Sequence, residues 1–306
     1  MSPRRSSETQ KSSLRSICIT AAVLITALAQ PDLRAGADPI LDVIDIRPVL
    51  GMHPEAGNSL GLAYDPASDA LYLSHGSDSR GGFIYKLGTG GNLLSEFNFQ
   101  TAYRPGSYPT ALSYDESTSH LFVLALGVGD GIGNIVEMSP DGSVIFREIT
   151  VPIGGGTGIA VRDDGIWQSL FARDIIRHYT RDGIFIEDLS VAGSFPGFPG
   201  PDNLASSFTN GFFIVDHFGR RIVEVGVDGD ELAVGSTASL GDGRGQAIAS
   251  DARARRIFLQ VANQEIYVLS PELIKPAVAV VPTLSRTGLL VLGLLLLVLA
   301  GYKIVS

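Results

Sequence analysis

Short apolar segments recur in pairs along the chain, and the first segment of each pair contains one small residue. Leu62–Asp65 precedes the apolar run Leu71–Leu73, and Leu112–Asp115 precedes Leu121–Val123 in the same way. Three more copies follow, and the small residues of the five copies are Ala63, Ser113, Ala160, Ala205 and Ala249. Their spacings of 50, 47, 45 and 44 residues match one four-stranded blade, so the pattern predicts a β-propeller with five blades.

Each copy continues with a third strand, and four copies then turn through a glycine-bearing hairpin into a fourth strand. The third strands are predicted at Phe83–Leu87, Asn134–Met138, Ile175–Tyr179, Arg221–Val225 and Gln264–Val268, and the hairpins at Gly90-Gly91, Asp141-Gly142, Asp182-Gly183 and Asp228-Gly229. The fifth copy lacks this turn, whereas Asp42–Leu50 has the pattern of a strand without a blade. We expect that strand to complete the fifth blade and to close an all-β propeller over residues 38–275, with six blades or a parallel β-helix as alternatives.

One repeat resembles a known family. The segment Val215–Val225 is similar to the NHL repeat, with a strand, an aspartate, a turn and an Arg-Ile pair, although Arg220 stands where asparagine is usual. The other copies match this repeat only loosely. The resemblance therefore implies an NHL-like propeller at the level of the superfamily, in which rings of six blades are common.

The charge of the chain excludes one class of partner. The whole sequence carries a formal charge of −9, and residues 38–282 hold 16 basic and 30 acidic side chains. An acidic surface of this kind does not neutralise phosphates, so nucleic acid is excluded as a partner. Cys18 is the one cysteine, which leaves neither an intramolecular disulfide nor a cysteine-based zinc site.

The N-terminal segment has the pattern of an export signal. Four basic residues lie within the first 15 positions, and Ile17–Ala29 is an apolar run that ends in Ala27-Leu28-Ala29. Small residues three positions and one position before a junction suit signal peptidase, so residues 1–29 are predicted to be a signal peptide. The alternative is an uncleaved N-terminal anchor.

The C-terminal segment predicts attachment to a membrane. Residues 276–287 form a linker, and residues 288–305 form a leucine-rich segment predicted to be a transmembrane helix. Val281, Pro282, Thr283 and Leu284, followed by Gly288, resemble the IPTL-CTERM sorting signal, which implies processing by an exosortase-like protease. A plain tail anchor is the alternative. Together the two ends predict an exported protein of the cell envelope or outer surface, anchored at least transiently in the membrane.

The loops at one end of a propeller channel carry the candidate chemistry. Ligand-binding candidates there are Asn58, His75, Asp130, Asp174, His217 and Asn263. Asp202, Asn203 and Asp216 are the candidate ligands of a Ca²⁺ or Mg²⁺ ion, since hard cations take oxygen donors. These residue types also favour turns for conformational reasons alone.

Two functions remain open from the sequence. Without a coherent catalytic set, the chain is expected to be a non-enzymatic binding or interaction module for a protein, a glycan or a small molecule. The alternative is a metal-dependent hydrolase or lyase that acts at the central channel. This alternative follows from a resemblance to the lactonase-like propellers of the senescence-marker family, which implies a metal that polarises a lactone carbonyl.

Overall fold

The computed structural model describes residues 39–56, 58–77, 81–127, 132–152, 156–170, 173–195, 201–241, 244–262 and 264–276. Within these ranges the chain forms 21 strands in five antiparallel sheets, each of which is one blade of a propeller. The first blade is built from β2 (Asn58–Asp65), β3 (Ala70–Ser77), β4 (Gly81–Gly88) and β5 (Leu93–Asn98). The second is built from β6 (Ser107–Asp115), β7 (His120–Gly127), β8 (Ile132–Met138) and β9 (Ile145–Pro152).

The remaining three blades repeat this order with two variations. The third blade contains β10 (Gly156–Arg162), β11 (Gly165–Leu170), β12 (Ile175–Tyr179) and β13 (Phe185–Ser190). The fourth contains β14 (Leu204–Ser206), β15 (Gly211–Asp216), β16 (Arg221–Gly226) and β17 (Glu231–Ser236), with β21 (Lys275–Pro276) added at its outer edge. The fifth contains β18 (Gly245–Asp251), β19 (Arg256–Val261), β20 (Glu265–Leu269) and β1 (Ile40–Asp45).

The ring closes with five blades, as the repeat spacing predicted. The first strands of successive blades, β2, β6, β10, β14 and β18, pack against one another, and β18 packs in turn against β2. β1 pairs with β20 and places Ile44 opposite Ile266, so the N-terminal strand completes the last blade. Because this cycle of inner strands is continuous, it leaves no gap for a sixth blade.

The closing strand is shorter than predicted. The sequence suggested a strand over Asp42–Leu50, but β1 ends at Asp45 and a short helix, α1 (Arg47–Leu50), follows it. Pro48 lies in the first turn of α1, where its missing N–H and its fixed φ are tolerated. Val49 and Leu50 are buried on this turn and join the apolar cluster between the first and fifth blades. A second short helix, α2 (Phe99–Ala102), leads from β5 towards β6.

Apolar clusters hold the blades together in pairs. In one cluster Tyr72 and Ile84 of the first blade pack with Leu121 and Val123 of the second. The four predicted glycine hairpins are confirmed, because Gly91, Gly142, Gly183 and Gly229 have φ values of 86°, 72°, 83° and 85°. These left-handed conformations suit glycine, which has no Cβ to clash with the neighbouring carbonyl.

The two chain ends that carry the predicted targeting signals lie outside the described residues. This holds for the signal peptide of residues 1–29, for the motif Val281–Leu284 and for the predicted transmembrane helix of residues 288–305. Among the residues that the structure describes, no helix is long and apolar enough to cross a membrane.

Arg220 occupies a backbone conformation that disfavours its side chain. Its φ is 52°, in the left-handed region that asparagine and glycine adopt more readily. We therefore expect Arg220→Asn to raise the free energy of unfolding by about 0.5–1 kcal/mol, measured by urea denaturation. Asp228→Asn, on a neighbouring hairpin of the same blade, serves as a control that should change stability by less than about 0.5 kcal/mol. A loss of stability in Arg220→Asn would contradict this prediction.

Candidate functional site

A cavity of about 360 Å³ lies at the end of the channel where the first strand of each blade begins, and we call it the upper cavity. All five blades contribute to it. Its lining residues are Leu60, Tyr108, Thr110, Leu126, Thr157, Asp202, His217, Phe218 and Gln246. A volume of this size is typical of sites for small ligands.

A recurrent irregularity of the inner strands builds this lining. Leu60, Thr110, Thr157, Asp202 and Gln246 each lie three residues before the small residue of their repeat. In the first, second, third and fifth blades the pairing register shifts at this residue, which is the signature of a β-bulge. A bulge inserts an unpaired residue and redirects its side chain. The same position of every repeat therefore faces the upper cavity.

The fourth blade achieves the same arrangement just before its first strand. The N–H of Asp202 donates to the carbonyl of Val215 at 3.1 Å, and the N–H of Val215 donates to the carbonyl of Asn203 at 3.0 Å. Asp202 and Asn203 thus both lie opposite Val215, as two residues lie opposite one in a β-bulge. The carbonyl of Asp202 also accepts from the hydroxyls of Thr157 at 2.6 Å and Ser169 at 2.5 Å, which ties this segment to the third blade.

Among the described residues that line the upper cavity, Asp202 is the one carboxylate. Burial raises the pKa of its side chain to about 6, because a desolvated carboxylate is disfavoured. The nearby carboxylate of Asp216 also raises this pKa, whereas His217 and the hydroxyl of Thr157 lower it. Asp202 can therefore gain or lose a proton near neutral pH, a property that is frequent at functional sites.

His217 lies beside Asp202 in the lining of the cavity. Its Nδ1 lies 3.0 Å from the carbonyl oxygen of Gly245, which can only accept, so Nδ1 carries the hydrogen. In the neutral ring Nε2 is then the acceptor. The ring of His217 also meets Phe218 edge to face at 5.0 Å between centroids. The hydrogen bond to Gly245 joins the fourth blade to the fifth and fixes the orientation of the ring.

Asn203 has a structural contact across the channel. The side chain is buried, and its Nδ2 donates to the carbonyl of Leu60 in the first blade at 3.0 Å. The same Nδ2 lies 3.4 Å from the carbonyl of Thr157 in the third blade, and Oδ1 accepts from the N–H of Leu204 at 3.0 Å. The first and fourth blades are not neighbours in the ring, so this amide spans the floor of the upper cavity.

The three predicted metal ligands do not present a common set of open oxygens. Of the three, only Asp202 lines the upper cavity. Asp216 is buried, and its two oxygens accept from the N–H of Gly219 at 2.7 Å and from Nε of Arg221 at 2.8 Å. Within the described ranges no group of three or more His, Cys, Asp or Glu side chains is arranged to hold a metal ion. The residues therefore do not fit a shared metal, and metal binding stays a prediction for experiment.

Three of the other predicted ligand-binding residues are described by the structure and do not line the upper cavity. His75 is buried at the end of β3, with its Nδ1 3.3 Å from the hydroxyl of Tyr85. Asn58 begins β2, and Asp174 has a φ of 51° in the loop before β12. None of these three lines the upper cavity. Asp130 and Asn263 lie outside the described residues.

The opposite end of the channel differs in its chemistry. A cavity of about 240 Å³ opens there, and the carboxylates of Asp115 and Glu116 in its lining are already paired with arginines. Asp115 accepts from the hydroxyl of Thr118 at 2.7 Å and from the guanidinium of Arg181. Although burial opposes ionisation, these hydrogen bonds hold the pKa of Asp115 at about 2. Glu116 and Arg253 also form an ion pair between the hairpins of the second and fifth blades. The upper cavity is therefore the better candidate site.

The sequence analysis did not identify most of the lining residues, although the sequence contains a signal for them. Asp202 and His217 were among the candidates expected in the loops at one end of the channel, and both line the upper cavity. The remaining lining residues have ordinary apolar or neutral side chains. The constant offset of three residues from the small residue would have located Leu60, Thr110, Thr157 and Gln246.

The fold and the cavity define the class of the protein as a five-bladed β-propeller with a candidate ligand site at one mouth of its channel. The structure is similar to that of Myxococcus xanthus glutaminyl cyclase, with a TM-score of 0.58 and 13% sequence identity over 78% of this chain and 96% of that chain. This similarity shows the propeller fold.

Two further solved structures align more weakly. A streptogramin B lyase has a TM-score of 0.44 and 14% identity over 76% of this chain and 75% of that chain. A calcium-binding protein, regucalcin from Agrobacterium tumefaciens, has a TM-score of 0.46 and 13% identity over 71% of this chain and 92% of that chain. No protein-family model matches the sequence, and no curated protein matches it significantly.

Proposed function

We propose that this propeller binds a small molecule in the upper cavity. The observation that carries the proposal is the ring of five equivalent positions, at Leu60, Thr110, Thr157, Asp202 and Gln246, which all line one cavity. Packing alone does not require a cavity of about 360 Å³ at this place, because protein interiors are otherwise closely filled. The half-buried, desolvated carboxylate of Asp202 in that space is costly unless a ligand uses it.

A paired substitution tests this site. Leu60 lines the cavity, and Leu94 lies on the outer strand of the same blade with half of its surface exposed. We expect Leu60→Trp to fill the cavity and to abolish binding of fragment-library hits in ligand-observed NMR, while Leu94→Trp retains them. Hits that bind Leu60→Trp as well as the parent protein would place the site elsewhere.

A second candidate function is a hydrolase or lyase that uses the same cavity. It is favoured by the pair Asp202 and His217, since a carboxyl group with a pKa of about 6 beside a histidine of fixed tautomer suits proton transfer. The fold is compatible with catalysis, because its similar structure from Myxococcus xanthus is named as an enzyme. Turnover of lactone or ester substrates that is lost in Asp202→Asn and His217→Gln would support this function.

The metal-dependent form of this candidate has its own test. Because Asn203 and Asp216 already use their side chains in the fold, we expect EDTA to leave the melting temperature unchanged within about 1 °C. Added Ca²⁺ or Mg²⁺ should likewise have no effect. A fall in melting temperature with EDTA that Ca²⁺ reverses would contradict this expectation and support a metal site.

In this proposal the protein acts at the cell envelope. It rests on the basic and apolar pattern of residues 1–29 and on the leucine-rich segment of residues 288–305. Intact mass and membrane partition of the protein from its own host test it. A product that begins at Gln30 and ends before Gly288 supports export and processing by an exosortase-like protease, whereas a product that retains Lys303 in the membrane supports a tail anchor.

A further inference from the structure

The polar groups of the upper cavity differ in whether they accept or donate hydrogen bonds. The carboxylate of Asp202 accepts hydrogen bonds when it is ionised, and His217 offers an acceptor at Nε2 because Nδ1 donates to Gly245. The hydroxyl of Thr110 donates to the carbonyl of Leu124 at 3.0 Å, and that of Thr157 donates to the carbonyl of Asp202. Both threonine hydrogens are thus already used within the protein, that of Thr110 by the backbone and that of Thr157 by Asp202. Tyr108 and Gln246 add a hydroxyl and an amide, which can donate or accept, whereas Asp202 and His217 present acceptors to a ligand that brings donors.

The charge of the cavity points in the same direction. Neither lysine nor arginine is among its lining residues, so no fixed positive charge compensates Asp202 within the described part of the wall. The guanidinium of Arg221, which pairs with the neighbouring Asp216, is held by that carboxylate and by the carbonyl of Ser194. An anionic ligand would meet an uncompensated carboxylate, whereas a cation would neutralise it.

The apolar part of the wall argues against a bare metal ion. Leu60, Leu126 and the ring of Phe218 supply this part, and Phe218 is mostly exposed at the rim. A hard cation needs about six to eight oxygen ligands, and a single carboxylate is a poor set. An aromatic ring beside a carboxylate suits an ammonium group, which gains from both.

We propose that the ligand of the upper cavity is a small organic amine, bound as an ammonium ion by Asp202 and His217 with its apolar body against Leu60, Leu126 and Phe218. This inference rests on the proposed binding function and adds the chemical class of the ligand. The ammonium group donates to the carboxylate of Asp202 and to Nε2 of His217. No covalent step is involved.

Three probes of nearly equal size separate the ligand class from the site itself. The probes are 2-phenylethylamine, 2-phenylethanol and phenylacetate, measured by isothermal titration calorimetry at pH 7.5 with the full chain. Because a charge-assisted hydrogen bond contributes more than a neutral one, we expect the amine to bind about 10- to 100-fold more tightly than the alcohol. Phenylacetate should bind more weakly than the alcohol.

Two variants test whether the tighter binding of the amine depends on the carboxylate of Asp202. Asp202→Asn should remove the advantage of the amine over the alcohol, while Asp42→Asn, on the exposed outer strand β1, should keep it. Affinity for the amine should also rise between pH 5 and pH 7, as Asp202 ionises. Asp216, the other carboxylate that acts on Asp202, is paired with Arg221.

The outcomes distinguish failure of the class from failure of the site. Equal affinity for amine and alcohol, both lost in Leu60→Trp, would overturn the amine proposal and leave the site standing. Tighter binding of phenylacetate would overturn it as well. If none of the probes binds and Leu60→Trp changes no fragment hit, both proposals fail.

Discussion

Replacing Asp202 by asparagine should stabilise the protein at pH 8 by about 2–3 kcal/mol, the largest gain that we expect from a single substitution. The pKa of this carboxyl group is about 6 in the folded chain, whereas that of a solvated aspartate is 3.8. A tenfold change in the ionisation constant corresponds to about 1.4 kcal/mol. An amide of the same shape removes the cost of burying the charge. Thermal or urea unfolding of the two proteins measures the difference.

The direction of the expected stability change follows from the pH at which Asp202 ionises. Between pH 3.8 and about 6 the folded chain holds a proton on Asp202 that the unfolded chain has released, so the stability of the parent protein falls as pH rises through this range. The advantage of Asp202→Asn is therefore absent at pH 3.5 and fully present above pH 7. Asp42→Asn should show no such pH-dependent gain. A variant that is less stable than the parent at pH 8 would contradict the placement of Asp202 in a desolvated cavity.

A residue that costs stability in this way is typical of a functional site. Natural proteins retain strained or desolvated groups where function requires them, and substitutions at such places often stabilise the fold while they remove activity. Asp202→Asn is therefore expected to gain stability and to lose amine binding. The opposite signs of these two effects separate a ligand-binding role from a structural role.

Asn203, the next residue along the chain, should behave in the opposite way. We expect Asn203→Ala to lower the free energy of unfolding by about 2–4 kcal/mol, because it leaves the buried carbonyl of Leu60 without its donor and the N–H of Leu204 without its acceptor. For a domain of this size the melting temperature should fall by roughly 5–15 °C. Differential scanning calorimetry measures this change.

A matched control distinguishes the loss of the Asn203 bridge from the loss of an asparagine side chain in general. Asn210 is exposed and accepts from the guanidinium of Arg162, so Asn210→Ala should cost less than about 1 kcal/mol. Asn203→Asp keeps the acceptor for Leu204 but loses the donor for Leu60, and it should also be destabilising. An Asn203→Ala variant as stable as the parent would mean that the amide does not bridge the first and fourth blades.

The number and order of the blades could be predicted from the sequence because they follow from local pattern. The five small residues repeat at the length of a blade, and Gly-Gly or Asp-Gly pairs mark the outer hairpins where positive φ is needed. The role of Ile44 in closing the ring followed from a strand that lacked a blade. The end of that strand at Asp45 was missed, since Val49 and Leu50 have the same apolar pattern in a strand and in a buried helical turn.

The site was harder to predict because it depends on contacts between distant repeats. Asp216 and Asn203 have the side chains of metal ligands, but Arg221 and the carbonyl of Leu60 occupy them in the fold. These partners could not be identified from one repeat. Asp202 and His217, two of the candidates from the sequence, line the upper cavity, and their binding of a ligand stays a prediction. The β-bulges that turn Leu60 and its equivalents inwards leave no signal in residue type.

The ionisation state of Asp202 is the most direct test of a ligand site at the channel mouth. Carboxyl resonances of the ¹³C-aspartate-labelled protein, followed by NMR from pH 3 to pH 9, should include one that titrates near pH 6 and is missing from Asp202→Asn. Saturating 2-phenylethylamine should move that titration to lower pH, because a bound ammonium favours the ionised carboxylate. If the Asp202 resonance titrates near pH 4 and does not respond to the amine, the carboxylate is solvated and the proposed site is wrong.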